Sequence, residues 1–115
     1  MVCCAYFGEL SKSRKEWWDN GDSNPYGVLS NPIELPRKGR CLLDQGNKYF
    51  VGQISIDWGS FAWKCAGDDM VRFLEEHVST LPWLLEDEKE MIKTVKRYIE
   101  THGDVEFGVV FIESV

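Results

Sequence analysis

The sequence predicts an α+β domain: a mainly antiparallel sheet of about four to five strands, with two helices of the C-terminal half, near 68–80 and 85–102, packed on one face. Three observations lead there. Short stretches with strand-like alternation recur along the chain, and helical spacing dominates residues 68–102. Those two helices also follow one another across a short link, so they cannot supply the crossover helices that parallel strands require. The 115 residues suit a single domain, 1–115, and 43% apolar content with five Trp is enough to enclose one core.

Val2 to Phe7 is an unbroken apolar and aromatic run that reads as a buried strand. Ser13 and Glu16 have capping-box spacing, which predicts a short helix around 12–20. Residues 21–40 are dense in Gly, Pro, Asn and Ser and read mostly as loop, ending in Arg37-Lys38-Gly39-Arg40, a solvated basic turn. Tyr49 to Trp58 alternates, with Phe50, Ile54, Ile56 and Trp58 on one face. Gly46 and Asn47 allow a tight turn before it, which makes 41–44 its hairpin neighbour. Phe61, Trp63 and Cys65 alternate next and form a second hairpin.

Asp68 is the expected N-cap of a helix running to about Ser79, with Val71, Leu74, Val78 and Leu81 inward. The last helix follows Pro82, carries the inward stripe Met91, Ile92, Val95, Tyr98 and Ile99, and stops at Gly103. Val105 to Ile112 is a strand whose second half is apolar on both sides, the mark of a central position.

Thirteen Lys and Arg against nineteen Asp and Glu leave a net charge of −6, which argues against nucleic acid, whose phosphates need cations. The excess is C-terminal: residues 66–115 hold five cations and twelve anions, whereas residues 1–65 are nearly balanced. No apolar run is long enough to span a bilayer, and the N-terminal residues MVCCAYFGELSKSR have neither a basic start nor a long hydrophobic segment, so a soluble, cytoplasmic protein is expected. The cysteines at 3, 4, 41 and 65 are badly spaced for disulfides and lack a zinc pattern; they read as buried free thiols. Neither metal nor cofactor is expected.

Catalytic arrangements are weak. A nucleophile would have to be Cys4 or Cys65, with His77 or His102 and with Asp57 or Asp68 orienting. A carboxylate site would join Asp57 to Asp68 and Asp69, though a cap and a turn already explain these. No phosphate-binding glycine motif occurs. The unusual feature is the aromatic surplus. Most aromatics should be core, yet Trp18, Tyr26, Tyr49 and Trp83 fall off the clearest stripes or beside loops. Together with Glu86, Asp87 and Glu90 they form a candidate partner-binding surface, because aromatic anchors rimmed by carboxylates suit a basic protein.

The favoured expectation is therefore a small acidic binding module without enzymatic activity that covers a basic protein surface. In size and composition it resembles protein inhibitors such as bacterial immunity proteins, a likeness of type and not of motif. Two other expectations stand beside it. One is a ligand-binding or enzymatic domain with an aromatic pocket of Tyr49, Asp57, Trp58 and Trp63. The other is a homodimer formed through the aromatic surface.

Overall fold

A computed structural model describes residues 2–10, 29–55, 59–103 and 105–114. Among them the chain forms β1 (Val2–Leu10), β2 (Leu29–Glu34), α1 (Gly39–Tyr49), β3 (Val51–Ser55), β4 (Phe61–Cys65), α2 (Gly67–Glu76), α3 (Pro82–His102) and β5 (Phe107–Ser114). The strands make one antiparallel sheet in the order β2-β1-β5-β4-β3. The predicted α+β class is therefore observed.

β5 is central because both of its faces are apolar. Phe107, Val109 and Phe111 join Ala5 and Phe7 of β1 and Trp63 of β4 beneath the helices, which contribute Leu42, Met70, Phe73, Leu74, Met91 and Val95. Full burial of such side chains contributes roughly 1.5–3 kcal/mol each. The opposite face carries a smaller cluster of Leu10, Leu29, Ala62 and Val110, to which none of the described helices contributes.

α3 begins at Pro82, a residue that needs no N–H partner at the first helical position, and ends at Gly103 with φ 66. Met91 and Val95 of its expected stripe are buried, and Ile92, Tyr98 and Ile99 are half-buried against the core. The Tyr98 hydroxyl accepts from the Glu9 amide (2.9 Å) and donates to the Ser30 carbonyl (3.0 Å), which fastens the helix to β1 and β2.

Several expectations are corrected. Residues 41–44 are not a strand but the middle of α1, a third helix on the same face of the sheet. Gly46 and Asn47 are helical and serve packing: a Cβ at Gly46 would lie 2.8 Å from Trp63 Cζ2, and the Trp63 indole N–H donates to Asn47 Oδ1 at 2.9 Å. Gly39 has the same purpose, since a Cβ there would stand 2.4 Å from the Cys3 carbonyl oxygen.

The alternation expected from residue 49 onward breaks. Gly52 has φ 69, and the pairing with β4 shifts between Val51 and Ile54, so one extra residue intervenes. Phe50 consequently joins the helix-side core while Ile54 packs on the opposite face. β2 contains a like irregularity: Asn31 has φ 49, and the register with β1 shifts opposite Gly8. α2 is capped by Ala66 instead of Asp68 and ends at Glu76, short of the expected Ser79, leaving Val78, Ser79 and Thr80 to lead into Pro82. The helix expected around 12–20 lies outside the described residues.

Candidate functional site

α3 carries acidic residues on two sides with different surroundings. Trp83, Glu86, Asp87 and Glu90 are spaced i, i+3, i+4 and i+7 and so form one ridge along the helix. All four are exposed, and Trp83 is 74% exposed, the largest value among the exposed apolar side chains of the described residues. Among the described residues the ridge acids make only loose ion pairs: Glu86 with Lys89 at 3.7 Å, Glu90 with Lys93 at 3.7 Å and Asp87 with Arg37 at 3.6 Å. Such surface pairs are worth about 0–1 kcal/mol, leaving these carboxylates available to another charge.

On the inner side stands Glu88, 2% exposed, facing Lys38, 3% exposed, with Nζ and Oε2 2.8 Å apart. The Lys38 ammonium also donates to the His77 carbonyl. Its approach to Oε2 is oblique, so that oxygen is held by charge without a directed hydrogen bond. Arg37 Nε lies 4.0 Å from the other oxygen. The basic run 37–40 is thus not a wholly solvated turn: Lys38 is buried, and it locks the start of α1 onto α3.

Arg37 itself occupies a turn of type II form. Pro36 precedes it, the Lys38 amide donates to the Leu35 carbonyl at 3.2 Å, and Arg37 takes φ 63, a place that favours glycine. This geometry aims Lys38 inward and leaves Arg37 beside Asp87. Between this turn and α3 runs a groove with a volume of ≈ 350 Å³. Ile33, Met91 and Val95 form its apolar base. Glu34, Asp87 and Glu90 are its acids and Arg37 its cation.

The other expected site residues lie elsewhere. The Tyr49 hydroxyl donates to Glu76 and lies 3.3 Å from His77 Nε2, and its ring meets Phe73 edge-on. The bond to the Glu76 carboxylate is the main reason the Tyr49 hydroxyl loses its proton at higher pH than usual. Trp63 is 1% exposed and sits in the core, and Tyr49 is half-buried against that same cluster. Trp18, Tyr26, Asp57 and Trp58 lie outside the described residues.

The thiols are free, but only Cys65 is fully buried; Cys3, Cys4 and Cys41 are half-buried. Burial, then the nearby Asp69 charge, push the Cys65 thiol well up, the reverse of what a nucleophile needs. Asp68 and Asp69 lie in the first turn of α2, and no cluster of three metal-ligating side chains exists among the described residues. None of the described helices is long and apolar enough to cross a membrane.

The sequence reading missed the Lys38 and Glu88 pair, although a signal was present. Glu88 precedes Met91 by three residues and Val95 by seven, so helical spacing alone puts it on the inward stripe. Comparison with protein-family models, curated proteins and solved structures finds no match.

Proposed function

We propose that this protein is a small non-enzymatic binding module, of inhibitor or immunity type, that docks on a basic surface of a protein partner through the α3 ridge. The observation that carries the proposal is the exposed Trp83 aligned on one helical face with Glu86, Asp87 and Glu90. An exposed indole supplies a large apolar anchor at little conformational cost, and neighbouring carboxylates steer and orient a cationic partner. The free thiols fit a reducing compartment such as the cytoplasm.

The test is binding of a partner captured with the wild-type chain, measured by calorimetry at low and high salt and against ridge variants. Trp83→Ala is expected to weaken binding by about thirtyfold or more, as a hot spot does. Glu86→Gln with Glu90→Gln should reduce both the affinity and its dependence on ionic strength. A partner whose affinity is indifferent to Trp83 and to salt overturns the proposal.

A further inference from the structure

The groove between β2 and α3 adjoins the ridge, shares Asp87 and Glu90 with it, and is lined by both buried apolar and exposed acidic residues. At its base Val95 and Met91 are buried and Ile33 is half-buried, while Glu34, Asp87 and Glu90 are exposed above them. A hydrated metal ion needs oxygens converging on one point, and no cluster of three ligating side chains occurs among the described residues; this groove instead joins a buried apolar lining to exposed carboxylates. That division matches a side chain with an apolar stem and a cationic head. Arginine fits better than lysine, because its planar head carries five N–H donors and is the more weakly hydrated of the two.

We propose that the groove receives an arginine side chain of the protein partner, with its methylenes on Ile33 and Met91 and its guanidinium among Glu34, Asp87 and Glu90. This rests on the docking function proposed above and adds the chemistry of the partner's anchor. Arg37 acts as the internal competitor. Its guanidinium already stands beside Asp87, but at 3.6 Å the contact is loose, and its backbone is held at φ 63. Removing that side chain uncovers Asp87 and relieves the backbone, so Arg37→Gly should bind cations more tightly while still folding.

The test is an amide-resolved NMR titration of the full chain with acetyl-Gly-Ser-Arg-Ser-Gly-amide, beside its citrulline and lysine counterparts. The arginine peptide should shift the amides of Glu34, Glu90, Met91 and Thr94 saturably, the lysine peptide should do so more weakly, and the neutral citrulline peptide should not. Arg37→Gly should tighten arginine binding by about threefold, the size of one surface charge contact. Thr94→Arg, at an exposed position lining the groove, should fill it from within and abolish the shifts. Equal shifts by citrulline or lysine, or weaker binding by Arg37→Gly, overturn the arginine assignment. Shifts confined to Trp83 and Glu86 overturn the groove and leave the ridge standing; no shift at either site counts against both.

Discussion

Glu88 and Glu90 are two residues apart on α3 and have the same side chain, yet one is 2% exposed against a buried lysine and the other is open to solvent with a lysine 3.7 Å away. The difference is one of helical phase. Glu88 lies on the stripe with Met91 and Val95, and Glu90 on the ridge with Trp83 and Asp87. Carboxylates that look like one acidic run therefore divide into a structural group and a group free to meet a partner. Net charge hides that division, and position on the helix reveals it.

The largest way to break the comparison is Glu88→Ala, which strands Lys38 without its counter-charge in the interior. We expect a loss of about 3–5 kcal/mol in urea unfolding, much of what a domain of this size has. The double replacement Lys38→Met with Glu88→Leu sharpens the point: removing both charges should restore most of that loss, because well-packed apolar residues often equal a buried pair. Tyr98→Phe comes next. It deletes the hydroxyl shared by Glu9 and Ser30 and should cost about 1 kcal/mol, since a partly buried amide loses its acceptor. At the small end, Trp83→Ala and Glu90→Gln should change unfolding free energy by less than about 0.5 kcal/mol, so any effect on binding is separable from folding.

Alkaline titration probes two groups of the buried side, Cys65 and Tyr98, with Tyr49 raised beside them by Glu76. Burial raises both Cys65 and Tyr98, so each holds its proton more firmly in the folded chain than in the unfolded one. Their contribution is complete below the unfolded values and is lost as pH climbs through the folded ones. Stability should accordingly be level on their account up to about pH 8.5 and decline above it, with Cys65→Ala and Tyr98→Phe flattening the decline. Unfolding curves recorded between neutral and strongly alkaline pH check this.

Much of the architecture was legible because periodicity and punctuation agreed. β5 is apolar on both sides and central, and α3 is bounded by Pro82 and Gly103 where those residues said it would be. α1 was illegible for a specific reason. Gly39, Gly46 and Asn47 carry the marks of turns, but here the two glycines give way to the Cys3 backbone and the Trp63 ring, and Asn47 serves that indole. Local propensity does not disclose a long-range partner. The same holds for Lys38, whose basic neighbours imply solvent while Glu88, fifty positions on, draws it inward. Within the expected docking surface, the exposure of Trp83, Glu86, Asp87 and Glu90 was readable from spacing. Tyr49 was not, since the groups that hold it come from α2.

The two outer strands carry the same irregularity. One extra residue interrupts β2 beside Asn31 and Pro32, and another interrupts β3 beside Gly52. A straight outer strand is an invitation for another chain to zip on; kinked backbone withdraws it at both margins, and Pro32 adds to this in β2. Growth of the sheet from molecule to molecule is thereby disfavoured at these two strands. That condition favours selective recognition over indiscriminate stacking.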